Sequence, residues 1–233
     1  MSAIFKREFK SYFCSPLGYV FLTIFFFFEG MFFTTIFEAG SPEISYVIAA
    51  MTTVIIFVTP VLTMRLLSED RKQKVDQALL TAPVTVTEII MGKFFAAFSV
   101  FALAFSPTLI FQMIIASKVT VNWLVYINIV VGILLIGAAL IAMGMFISSL
   151  TESPVISCIL TLVAFLVIMM ISSLADMTGV QFLAEISEYI GFMDRFQNFY
   201  ENVFPVSDVV YLLSIAGVFC FLSVRAVEKR RWS

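Results

Sequence analysis

Six apolar stretches, each about as long as a bilayer crossing, divide this chain of 233 residues. A helix needs roughly 20 consecutive apolar residues to cross the hydrocarbon core. The stretches fall at residues 17–37, 46–64, 94–116, 123–147, 155–174 and 206–224. They leave little from which a water-soluble core could be built. Hydrophobic residues make up 61% of the chain and charged ones 13%, against about 25% charged in soluble domains. The expected fold is an all-α polytopic membrane protein, a single domain over residues 1–233 with six transmembrane helices.

The charges give those crossings a direction. Of the 14 Lys and Arg, all but Lys118 and Arg195 fall in alternate segments. Lys6, Arg7 and Lys10 precede the first stretch, and Arg65, Arg71, Lys72, Lys74 and Lys93 separate the second from the third. Arg225, Lys229, Arg230 and Arg231 follow the sixth. Positive charge is retained on the cytoplasmic side during insertion. Both termini and the 65–93 loop are therefore expected in the cytoplasm, with the chain multi-pass in a prokaryotic cell membrane. The opposite segments are acidic, with Glu38, Glu43, Asp176, Glu185, Glu188, Asp194, Glu201 and Asp208. That face is read as the complement of bases held inside; attraction of cationic cargo is the other reading.

Several chemistries are excluded at once. The chain has no His, which removes His-dependent zinc sites, Ser-His-Asp catalysis and His proton relays. Cys14, Cys158 and Cys220 are odd in number, and two lie in apolar stretches, so no disulfide framework is indicated. A net charge of −2 gives no support for nucleic-acid binding. The first apolar run exceeds a signal-peptide core and lacks a clear small-residue cleavage site, so it is expected to remain as a span.

Residues 2–14 are expected to form an amphipathic helix at the membrane interface. Phe5, Phe9, Tyr12 and Phe13 share one arc while Lys6, Arg7 and Lys10 project elsewhere. Ser15-Pro16 then breaks the helix, since a residue before proline disfavours helical backbone. This element reads as a surface anchor, as a contact for a cytoplasmic partner, or as both. Within the first stretch, Glu29 follows the run Phe25-Phe26-Phe27-Phe28. A mid-membrane carboxylate is costly and must face protein or water. It reads either as a cargo or proton contact or as a polar residue buried between helices. Pro60 and Pro107 are expected to kink or unwind their helices. Gly137, Gly144 and Ser148, with Ala138 and Ala142, recur at spacings that permit close helix packing. Residues 176–205 are too polar to cross, and are expected to form short outer amphipathic helices before the sixth span. No inverted duplication supports a repeat-built secondary transporter.

The loop between the second and third stretches carries charges from Glu69 to Lys74 and then an apolar patch, Ala78-Leu79-Leu80. Pro83 ends the patch, and Thr85 with Glu88 has the form of a capping box opening the next helix. Leucines on a short helix beyond the membrane, with no core of their own, suggest docking into a partner's groove.

Three blocks in order make the chain resemble the membrane subunit of ABC-2 type transporters, in particular the branch related to gliding-motility permeases. The first is Ser15-Pro16-Leu17-Gly18-Tyr19. The second runs from Arg65-Leu66-Leu67-Ser68-Glu69-Asp70-Arg71 through Leu79-Leu80-Thr81-Ala82-Pro83 to Gly92-Lys93. The third runs from Asp208-Val209-Val210-Tyr211 to the basic ending at Arg231-Trp232. The resemblance implies a permease subunit of an ATP-driven exporter. It would pair with a second permease, identical or homologous, and with two copies of a separate ATP-binding subunit; there is room for an accessory membrane or extracellular subunit.

The chain agrees with that division, because a P-loop needs Gly-x-x-x-x-Gly-Lys-Ser/Thr and Gly92-Lys93 is followed by Phe94. ATP and Mg are expected on the partner, no cofactor on this chain, and no enzymatic activity in this subunit alone. By the same resemblance, 65–93 is the coupling loop, with Glu69, Asp70, Arg71, Asp76, Leu79, Leu80 and Pro83 meeting the ATP-binding subunit. The interface helix, with Phe5, Lys6, Arg7, Phe9 and Lys10, would lie beside it. The alternative is a mechanotransmission or assembly subunit that moves no cargo, against which the outer segment is small. A self-contained proton carrier using Glu29 has neither a repeat nor a His to support it.

Overall fold

The computed structural model describes residues 2–38, 43–72, 85–178, 198–200 and 205–231, and among them it is helical with no strand. In chain order the helices are α1 (Ser2–Cys14), α2 (Pro16–Glu38), α3 (Ile44–Thr63), α4 (Ser68–Lys72) and α5 (Val86–Ala104). They continue with α6 (Ser106–Ala116), α7 (Trp123–Leu150), α8 (Pro154–Thr178) and α9 (Val206–Arg231). Five stretches are long and apolar enough to cross a membrane: Pro16–Glu38, Ile44–Lys72, Val86–Ala116, Trp123–Leu150 and Val206–Lys229. Helix α8 contributes a shorter apolar run, Pro154–Met170. The protein is an all-α polytopic membrane protein.

Helix α7 is the centre of the bundle and packs against α3, α5, α8 and α9. Its sequence explains why neighbours come so close. A Cβ added at Gly137 would collide with the Phe101 ring, one at Gly144 with Thr63, and one at Gly132 with Phe199. Ala139, Ala142 and Ile141 between them are fully buried. Small residues therefore let two helix backbones approach, the packing mode that bilayers favour.

The two prolines act differently. Pro107 lacks the N–H that would extend α5, and the helix closes at Phe105, whose N–H goes to Ala102 O at 3.2 Å. A new helix, α6, resumes at Ser106. Pro60, in contrast, lies inside α3, which continues to Thr63. The third crossing also starts earlier than hydropathy suggests, at Val86 and not near residue 94. The Thr85–Glu88 capping box is present in both directions. Lys93 is thereby placed two turns inside α5, where it is 1% exposed, not in a solvated loop.

On α1, Phe5, Phe9 and Phe13 form a ring ladder with centroids 5.8 and 5.1 Å apart, and Lys6, Arg7 and Lys10 are exposed. Tyr12 leaves this aromatic arc. It belongs to a second stripe, Ile4, Glu8 and Tyr12, which turns inward against the bundle. The expected outer helices over 176–205 lie largely outside the described residues, as do Asp76, Leu79, Leu80 and Pro83 of the loop.

Candidate functional site

At the end of the bundle that carries α1 and α4, three elements converge on one buried lysine. Lys93 Nζ lies 2.8 Å from Asp70 Oδ2 on α4 and 3.1 Å from Glu8 Oε2 on α1. Burying an unpaired ammonium costs several kcal/mol, so the 1% exposure of Lys93 requires these partners. Arg7 Nε donates to the other Glu8 oxygen at 3.1 Å, which balances two bases against two acids. The cluster joins residues far apart in sequence, with Asp70 three positions before residues 73–84 and Lys93 two turns into the helix that follows them.

Local geometry fixes each partner. Helix α1 sits in a notch at Gly92, where any Cβ would press on Ile4 at 2.9 Å. After Thr63 the chain tightens, with Leu66 N–H bonded to Thr63 O at 3.1 Å. That turn frees the Leu62 carbonyl, which accepts from the Tyr12 hydroxyl at 3.0 Å. Burial raises the Tyr12 pKa above its ordinary value and the Glu8 charge adds to it, so the phenol remains a donor. Helix α4 is held from the other side by Ser148 of α7. The Ser148 hydroxyl oxygen accepts from Leu67 N–H at 3.2 Å and Ser68 N–H at 3.1 Å, and donates to Met64 O at 3.1 Å.

Of the charges predicted to meet a partner, Glu69 pairs with Arg65 at 2.7 Å and Arg71 with Glu152 at 2.8 Å. Asp70 points to Lys93. All three are thus engaged within the chain and set the seating of α4. A polar cleft of about 350 Å³ separates α1 from α4, lined by Arg7, Glu8, Ser11, Tyr12, Arg65 and Asp70 among others. Among the described residues no group of His, Cys, Asp and Glu is placed to hold a metal ion.

Glu29 is elsewhere, in α2. It is 0% exposed, and neither carboxyl oxygen has a hydrogen-bond partner among the described residues. The residues that sequence reasoning passed over are Glu8 and Lys93. Their signals were present: Glu8 shares a four-residue stripe with Ile4 and Tyr12, and Lys93 follows a capping box by two helical turns.

The family model described as ABC-2 family transporter protein covers residues 38–218, most of the chain. No curated protein matches it.

Proposed function

Because the chain belongs to the ABC-2 family of transporter membrane proteins, and so is a permease component that works with an ABC ATP-binding subunit, we propose that it couples ATP hydrolysis on that subunit to export across the cell membrane. The end bearing the buried lysine carries most of the bases and is the cytoplasmic end, with both termini and six spans arranged accordingly. Two copies of the ATP-binding subunit, carrying ATP and Mg, would serve two permeases.

The Lys93 cluster is the observation that supports this reading. A segment pushed by a motor must deliver its displacement to the spans without folding up. The helices before and after residues 73–84 are joined through Asp70 and Lys93, in one ion cluster that also holds α1. A push on that segment reaches α3, α5 and α1 together. Leu79 and Leu80 supply the contact itself, each contributing roughly 1.5–3 kcal/mol if fully buried in the partner.

Replacing Leu79 and Leu80 together with Asp tests the assignment. Membrane insertion should be retained, while copurification of the ATP-binding subunit and ATP hydrolysis by the complex fall. Normal assembly and transport in that variant would remove the coupling role from this segment. Transport into reconstituted vesicles separates export from a purely mechanical role, in which ATP hydrolysis proceeds with no cargo moved.

A further inference from the structure

A second built site lies at the opposite end of the bundle, outer in the orientation proposed above. A cavity of about 480 Å³ opens there between α3, α6 and α7, within the roughly 300–1,000 Å³ range of small-molecule sites. Its mouth carries Glu43 and Tyr200, its floor Gln112 and Tyr126, and its apolar wall includes Ile44 and Ile129. Gln112 is 3% exposed, and its Oε1 has no hydrogen-bond partner among the described residues. A buried acceptor left in that condition costs about 1–3 kcal/mol, which an incoming donor would recover.

The other polar atoms point the same way chemically. Thr108 uses its hydroxyl hydrogen on Phe105 O at 2.7 Å. In its 3.2 Å contact with Tyr126, Thr108 must therefore accept, and Tyr126 must donate. The Tyr126 oxygen is left with only lone pairs to offer the cavity. At the mouth, Glu43 receives the Tyr200 hydroxyl at a loose 3.5 Å. Among the described residues neither Lys nor Arg lines the cavity, and Lys118, next to its Val119, is exposed. Ser45, Thr120 and Asn122 also line the cavity and can donate or accept, so the charge at the mouth decides: one carboxylate, with two tyrosine rings of the kind that attract cations.

We propose that this cavity binds an ammonium group carried on an apolar body, with Glu43, Gln112 and Tyr126 as its acceptors. The amine could belong to a soluble amphiphile or to a lipid headgroup, since the chemistry presented is the same. The site is on the other side of the membrane from the Lys93 cluster, so it stands or falls separately from the coupling assignment.

Trp123, with its ring 6.1 Å from that of Tyr126, provides the readout. In a Trp232→Phe background Trp123 is the sole tryptophan. The full chain in phosphatidylglycerol nanodiscs is titrated with hexylammonium, with hexanol and hexanoate as neutral and anionic counterparts. A saturable change in Trp123 emission with hexylammonium alone is expected, at least tenfold weaker in Glu43→Gln and in Gln112→Leu. The second variant keeps the test clear of misfolding, because it replaces a buried side chain whose Oε1 has no partner among the described residues with an apolar one of similar size. A silent titration, followed by an emission shift when phosphatidylethanolamine is included and loss of that shift in both variants, identifies the lipid headgroup as the source. An equal response to hexanol, a response unchanged in both variants, or no response to either amine overturns the proposal.

Discussion

Replacing Lys93 with Met removes one charge while keeping a side chain of similar length, so it isolates the ion cluster from packing. Glu8 and Asp70, with side chains 14% and 19% exposed, would then face each other without their shared cation. Removing one partner from a buried pair costs about 3–5 kcal/mol. Partial access of both acids to water, and Arg7 on Glu8, place the expected loss at the lower end, about 3 kcal/mol. Asp70→Asn and Glu8→Gln should each cost less, because the lysine keeps one carboxylate. Asp70→Asn should be the worse of the two, since its contact is 2.8 Å against 3.1 Å and Glu8 is shared with Arg7. Neutralising all three positions should restore most of the stability, as isosteric replacement of whole buried ion networks often does. Thermal unfolding in nanodiscs orders the four variants, and ATP hydrolysis per transported cargo in the complex reads coupling. The triple variant should be stable yet poorly coupled, because α1, α4 and α5 are no longer tied. A Lys93→Met protein that melts with the wild type, or a triple variant as coupled as the wild type, would refute the reasoning.

Two further outcomes follow from the same geometry. Ser148→Ala strips the partner from Leu67 N–H and Ser68 N–H at once, while Met64 O keeps the Ser68 hydroxyl. It should cost about 1–3 kcal/mol by thermal unfolding, while Ser99→Ala, which loses only an exposed bond to Phe95 O, should be neutral. In a cysteine-free background, a cysteine at Lys118 should react with an impermeant thiol reagent on intact cells. One at Lys72 should react only after permeabilisation, and external labelling there would reverse the orientation.

What the sequence made legible was everything encoded locally. The capping box at Thr85 and Glu88, the break before Pro107, the turn at Ser15-Pro16 and the close packing at Gly137 and Gly144 all rest on residues within a few positions of one another. The Lys93 cluster rests on pairs that lie on different helices, far beyond any local repeat, and no periodicity reports that Glu8 and residue 93 meet. Hydropathy worked against it, because a lysine at the foot of an apolar run looks like the boundary of the run. The capping box gave the better boundary, eight residues earlier. Tyr12 was grouped with the phenylalanines because a helical wheel cannot distinguish a ring facing lipid from one whose hydroxyl finds a freed carbonyl. Leu62 offers that carbonyl only because the chain tightens after Thr63, a feature of the backbone alone.

The glycines of α7 bear on how this protein can move at all. Gly137 and Gly144 lie on nearly the same side two turns apart, and Gly132 is turned roughly 140° from Gly137. Each is filled by a side chain from a different part of the fold: Phe101, Thr63 and Phe199. The helix is thus keyed like a shaft, with three slots each holding a tooth from a neighbour. Rotation about its own axis would drive those teeth into flanking side chains, so that degree of freedom is closed. Tilt and translation remain open only if α3, α5 and residues 198–200 travel with it, and displacement at one end of the bundle is then carried to the other as the motion of a single block.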